Sequence, residues 1–68
     1  MDSRVTINGK DVEIVEHMTI AGVLSCECYC IDRVAVEKNG KIVPRSDFDC
    51  EMVMDGDKLE VVHFVGGG

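Results

Sequence analysis

Aromatic side chains make up only 4% of this 68-residue chain, so any core must be built from Val, Ile, Leu and Met rather than from stacked rings. Basic residues are scarce as well. Seven Lys and Arg stand against 13 Asp and Glu, for a formal net charge of −6, and no Lys/Arg cluster interrupts the acidity. That balance opposes nucleic acid and anionic membrane surfaces as partners and favours a basic protein surface, with an association that salt weakens. No apolar run approaches the length of a membrane span, and Met1-Asp2-Ser3-Arg4 opens on polar residues with no apolar signal segment behind it. The cytoplasm is the expected location. A domain of this length buries only roughly 60% of its unfolded surface, which leaves little material for an active-site cleft.

Paired C-x-x-C knuckles are also missing, although four cysteines are present. Cys26, Cys28 and Cys30 form a C-x-C-x-C run, with Cys50 far along the chain. In a reducing compartment these are expected as thiols rather than disulfides. Thiolates with His17 or His63 are soft enough for zinc, but on a helix Cys28 would point away from Cys26 and Cys30. The run therefore reads as small hydrophobes near a helix end, some buried and some exposed, with no metal bound, and Cys50 reads as core filling beside Phe48. Neither His17 nor His63 has a neighbouring nucleophile or carboxylate that would mark a catalytic base. Met18, Met52 and Met54 read as core or docking surface, and the acidic residues as a solvated face.

What the chain does contain is turn punctuation and alternation. Val5 and Ile7 share a face, Asn8-Gly9 is a type I′ turn signal, and Val12 with Ile14 resumes the alternation, which predicts a β-hairpin. Thr19 is placed to cap a helix over about residues 20–28, with Ile20, Val23 and Leu24 at helical spacing. Val34 to Glu37 predicts a strand, Asn39-Gly40 a second turn and Ile42-Val43 a short returning strand that Pro44 ends. Arg45 to Glu51 should be irregular or 3₁₀, anchored by Phe48. After the Asp55-Gly56-Asp57 turn, Lys58 to Val65 predicts a final strand whose near-continuous apolar run suits cover on part of both faces. The order ββαβββ implies an α+β domain with one helix across a mixed sheet, and a last strand beside the first would run parallel to it.

The chain closes on Gly66-Gly67-Gly68. Glycine has no side chain to bury and costs the most backbone entropy to order, so three in a row pack poorly but suit a narrow channel. A linker or frayed end has the same composition. Placed directly after the last strand, however, they leave the carboxylate of Gly68 sterically bare. Residues 1–65 are thus expected as one domain and 66–68 as a flexible tail.

The segment Val34-Ala35-Val36-Glu37-Lys38-Asn39-Gly40-Lys41-Ile42-Val43-Pro44-Arg45, with Asp55-Gly56-Asp57-Lys58-Leu59-Glu60 and the closing glycines, resembles the sulfur carrier proteins of thiamine biosynthesis. The likeness spans essentially the whole chain, and its most specific parts are the Ile-Val-Pro-Arg phrase and the diglycine end. It implies a ubiquitin-like β-grasp and a protein that is not itself an enzyme. It also implies that an ATP-dependent E1-like activating enzyme adenylates Gly68, that a cysteine desulfurase pathway supplies sulfur for a thiocarboxylate, and that thiazole synthase accepts it. The chain itself would bind no cofactor, ATP being used by the activating partner. Gly67 and Gly68 take the motif's positions, and Gly66 is an added link in the partner's channel. The cysteine run departs from the aliphatic helix end common in such proteins. Two other readings stay open: a related carrier for molybdopterin synthesis or a modifier conjugated to lysines, and a metal or redox module built on the cysteines.

The tail expectation is directly testable. Backbone relaxation of the isolated protein should give order parameters for Gly67 and Gly68 well below those of the strands; rigid values at both positions would contradict it.

Overall fold

The two Asn-Gly pairs each close a hairpin. Asn8 and Gly9 have φ of 53° and 82°, and Asn39 and Gly40 have 54° and 85°. Two successive left-handed residues are what a type I′ turn needs, and its twist matches that of the flanking strands. The first turn joins β1 (Asp2–Ile7) to β2 (Lys10–Val15), and the second joins β4 (Val34–Lys38) to β5 (Lys41–Val43), both antiparallel. The computed structural model describes residues 2–64, so the expected boundary between residues 65 and 66 lies outside the described residues.

Between the hairpins runs α1 (Ile20–Cys26), capped as expected by the Thr19 hydroxyl, which accepts from the Gly22 amide at 3.1 Å. The helix stops short of the expected residue 28 because the chain turns left-handed at Cys28, with φ 65°. Two further strands break the expected ββαβββ order: β3 (Met18–Thr19) pairs antiparallel with β6 (Met52–Val53) to form a small second sheet. Strands of two residues carry no readable period. Short 3₁₀ turns occupy Ile31–Arg33 and Arg45–Asp47, and the second delivers Phe48 into the core at 3% exposure, as expected. Among the described residues no helix is long and apolar enough to cross a membrane.

The main sheet has the order β2-β1-β7-β4-β5, where β7 is Lys58–His63. The last strand is thus central, parallel to β1 and antiparallel to β4. Ile20, Val23 and Leu24 of α1 are fully buried against one face, together with Val5, Val34, Val36, Leu59 and Val61. This is the α+β, ubiquitin-like β-grasp arrangement, a mixed sheet with one helix across it. Two expectations fail here. β7 is not covered on both faces: Leu59 and Val61 are buried while Lys58, Glu60 and Val62 are exposed, because the single helix covers one side only. Cys50 is not core filling either. Phe48 takes the core position, and Cys50 sits exposed in the turn behind it, its thiol directed at the Asp47 carbonyl at 3.5 Å.

Side chains from both Asn-Gly turns hold β7 from opposite sides. Backbone pairing between β1 and β7 ends at Ile7 and Leu59. Beyond that point the Asn8 amide N–H donates to the Leu59 carbonyl at 2.9 Å. The Asn8 carboxamide then accepts from Val61 N at 2.7 Å and donates to Val61 O at 3.0 Å, so it acts as one more peptide unit of the ladder. Asn39 does the same work at the strand's start, where its Oδ1 accepts from Lys58 N at 2.9 Å and its own N–H donates to Lys58 O at 2.8 Å.

Replacing Asn8 by Gly keeps a residue at ease in the left-handed region and removes only the carboxamide. Two part-buried hydrogen bonds are lost, so chemical denaturation should show a loss of about 1–2 kcal/mol. A change of a few tenths or less would show that the carboxamide adds nothing to the ladder.

Candidate functional site

The residues singled out for chemistry, Gly66, Gly67 and Gly68, lie outside the described residues; what the structure supplies is the platform from which they leave. β7 carries the chain to Phe64 through the middle of the sheet. Its end is pinned on the β4 side, where Val34 pairs with His63 and the Phe64 amide donates to the Arg33 carbonyl at 2.9 Å. The His63 ring lies against Tyr29, with centroids 5.5 Å apart, so its role is a ring contact joining the strand end to the loop after α1. Arg45 reaches across from the second 3₁₀ turn, with its guanidinium carbon 5.8 Å from the centre of the Phe64 ring.

Beside this exit lies the face of the sheet that α1 does not cover. Alternation along the strands places Ala35 opposite Val62, and Glu37 opposite both Glu60 and Ile42. Ile42 is 76% exposed, Val62 61% and Phe64 57%. These three large apolar side chains stand on the open side of the sheet, uncovered by α1. The two glutamates stand directly across from each other in the same face, an unfavourable cross-strand pairing in the isolated molecule. Among the described residues neither glutamate forms an ion pair. The sequence reading did not locate this face, since it took the apolar run of β7 as cover for two faces; Lys58 and Glu60 alternating with Leu59 and Val61 were the missed signal, which the apolar Val62 obscured.

The cysteines are not gathered into this surface. All four are exposed, whereas some of Cys26, Cys28 and Cys30 were expected to be buried. Their position at a helix end explains it: Cys28 N donates to Ser25 O at 3.1 Å and Tyr29 N to Leu24 O at 2.9 Å, the paired bonds of a Schellman cap. Cys28 takes the left-handed position of that cap, and Tyr29, not a cysteine, folds back toward the core. Among the described residues no group of three or more His, Cys, Asp or Glu side chains is arranged to hold a metal ion. His17 sits in the turn between β2 and β3 with φ 65° and is exposed, away from the β7 exit. Met18 packs on the core, while Met54 is 62% exposed and Met52 37%. Asp57 departs from the solvated acidic face, being only 9% exposed.

A five-stranded mixed sheet with a central last strand and one helix across it places the chain among ubiquitin-like β-grasp proteins. Residues 5–68 match the ThiS family, closing glycines included, and the chain belongs to the ThiS family of sulfur carrier proteins. It is similar to the crystal structure of the thiamine biosynthesis protein ThiS from Geobacter metallireducens, with 35% identity, a TM-score of 0.83, and 96% of this chain and 99% of that one covered. It is also similar to thiazole synthases from Paramagnetospirillum magneticum and Magnetococcus marinus, at 42% and 32% identity over 65 residues. The match covers 96% of this chain but only 20% of either synthase.

Cys28 bears the cost of a Cβ in the left-handed region, about 1–2 kcal/mol, while glycine would lose roughly 0.5–1 kcal/mol more backbone entropy on folding. Cys28→Gly should therefore stabilise the fold by about 0.5–1 kcal/mol in chemical denaturation. A destabilised variant would show that the thiol makes a contact outweighing the strain.

Proposed function

We propose that the chain is a thiamine-pathway sulfur carrier, a co-substrate whose reacting group is the α-carboxyl of Gly68. The observation that carries this reading is the family match running through residue 68, on a fold whose central strand leads into the glycines. A carboxylate is a poor electrophile. Attack of a Gly68 carboxylate oxygen on the α-phosphorus of ATP, in an E1-like activating enzyme, would expel pyrophosphate and leave an acyl adenylate. A persulfide from a cysteine desulfurase pathway would then add through its terminal sulfur to the carbonyl carbon and expel AMP, leaving an acyl disulfide. Attack of a second thiol on the sulfur distal to the acyl group would release the Gly68 thiocarboxylate and form a disulfide. Gly66 and Gly67 give the tail no side chain to obstruct a channel around that carbonyl. ATP belongs to the activating enzyme, and the chain needs no cofactor of its own.

Thiazole synthase is the proposed acceptor. Its support is that a segment like this chain makes up a fifth of two proteins of that name. A carrier kept beside its acceptor delivers sulfur at high effective concentration, whereas free sulfide diffuses away. The open face of Ala35, Ile42, Val62 and Phe64 is the proposed docking surface for the body of the carrier.

Incubated with the activating enzyme, ATP and a sulfur donor, the intact protein should release pyrophosphate and gain the oxygen-to-sulfur mass difference on its last residue. One residue appended after Gly68 should abolish both events without changing the fold, because near-attack geometry tolerates little misplacement. Full sulfur transfer by the extended chain without prior trimming would overturn the proposal, and a lysine-linked adduct in cell extract would favour a conjugated modifier.

A further inference from the structure

Phe64 is the last described residue before the glycine tail, and two separate groups contact it: the Arg33 carbonyl accepts from its amide at 2.9 Å, and the Arg45 guanidinium lies over its half-exposed ring, 5.8 Å from the centre. Arg45 is itself well placed to act as a fixed point. Pro44, with φ −60° and ψ 145°, ends β5 and begins the 3₁₀ turn, in which Asp47 N donates to Pro44 O at 2.8 Å and Phe48 N to Arg45 O at 3.1 Å. Phe48 is buried, and its carbonyl accepts from Ala21 N at 2.9 Å, so the turn is tied to α1. From this base the guanidinium donates through Nη2 to the Val34 carbonyl at 3.3 Å.

The company that Arg45 keeps is unusual for a chain with 13 acidic residues. Among the described residues it makes no ion pair; its partners are a carbonyl on β4 and an aromatic face. A planar guanidinium does both at once, bonding in its plane and stacking on its face, which an ammonium does less well. Beside the contact lies a mostly apolar hollow of ≈ 220 Å³ lined by Val34, Ile42, Pro44, Phe48 and Phe64, so the ring has space to swing if the guanidinium is removed.

We propose that Arg45 is a positioning residue for the carrier reaction: by bonding Val34 and lying over Phe64 it sets the direction in which the chain leaves β7 toward the activated carboxyl. This rests on the carrier reading above. Four residues follow Phe64, so Gly68 lies at most roughly 14 Å away along an extended chain, whereas attack on the α-phosphorus requires reacting atoms to meet at about 3–3.5 Å. A departure point fixed in advance removes part of the ordering cost that threading a glycine tail into a channel carries. The clip also joins the tail to the docking face, since Phe64 belongs to both.

The test compares Arg45→Gln, Phe64→Leu and the double variant with the wild-type protein. Pyrophosphate release with the activating enzyme and ATP is measured as kcat and KM for the carrier, and backbone relaxation at Phe64 is measured in the isolated proteins. Loss of an exposed cation–aromatic contact should lower kcat/KM about two- to fivefold in Arg45→Gln. The loss should appear in kcat with KM within about twofold, the Phe64 order parameter should fall, and the double variant should be no worse than the poorer single one. Losses that multiply in the double variant, a change confined to KM, or unchanged kinetics would overturn the proposal. If the wild-type protein itself releases no pyrophosphate while the relaxation change is seen, the carrier reading fails and the clip is a structural contact without the positioning role.

Discussion

The fold depends on how one strand is held in the centre of its sheet, and the residue at which its restraints converge is Asp57. Its carboxylate, in the turn before β7, accepts from Asn39 Nδ2 at 2.9 Å and Met54 N at 2.8 Å, with Lys38 Nζ 3.9 Å away. Its backbone carbonyl accepts from Thr6 N at 3.0 Å. One residue thereby joins β1, the turn after β6 and the β4–β5 hairpin. A carboxylate this buried is tolerable only when its acceptor sites are met, since an unpaired buried charge costs several kcal/mol. Asp55 completes the junction by accepting from Arg4 N at 2.7 Å, while Gly56 N donates back to Arg4 O at 2.8 Å. With its start fixed there and its middle fixed by Asn8, β7 has a single register.

The open face is a consequence of size. A single seven-residue helix buries one side of the five-stranded sheet, and the described chain has no second layer to cover the other. Small domains must leave apolar area exposed, and a β-sheet face presents it as a flat array rather than scattered atoms. The Glu37 and Glu60 pair makes that face worse for the isolated molecule and better for one with a basic partner seated on it. Such repulsion also discourages two copies from stacking face to face, because each would bring further acid to the contact.

Local signals in the sequence were readable because their physics is local. Both Asn-Gly turns, the Thr19 cap, the stop at Pro44 and the burial of Phe48 follow from a few adjacent residues. Element order implied that first and last strands would run parallel if adjacent; their adjacency itself was read from the structure. The roles of Asn8, Asn39 and Asp57 were not legible, since each side chain bonds a strand remote in sequence: Asn8 and Val61 are 53 positions apart. The same holds for Arg45, whose phrase supported a family likeness without indicating that it lies over Phe64. β3 and β6 are too short to have a period, and Cys50 was misplaced because proximity to an anchor in sequence was taken for burial. Of the candidate site, the glycines lie outside the described residues, and the open face of the sheet was not legible. Seeing it required knowing that only one face of β7 is covered.

On the carrier reading, this separation of tasks has a mechanistic logic. The residues that stabilise the fold, the residues that form the open face and the glycines that would react are three nearly disjoint sets, with Phe64 at the junction of the last two. Binding energy gathered by a rigid body can then be used to draw an otherwise unfavourable tail into reacting geometry, the use of remote contacts that raises turnover rather than affinity alone. A carrier must also leave each enzyme it visits. A face with three large apolar side chains and an exposed acidic pair is small enough for rapid release, and the charge contribution affects encounter rate more than lifetime. Tight binding would defeat delivery, so a modest docking face and a tail without side chains form one coherent solution, in which specificity is shared between a surface that meets its partner and a strand that aims the carboxyl.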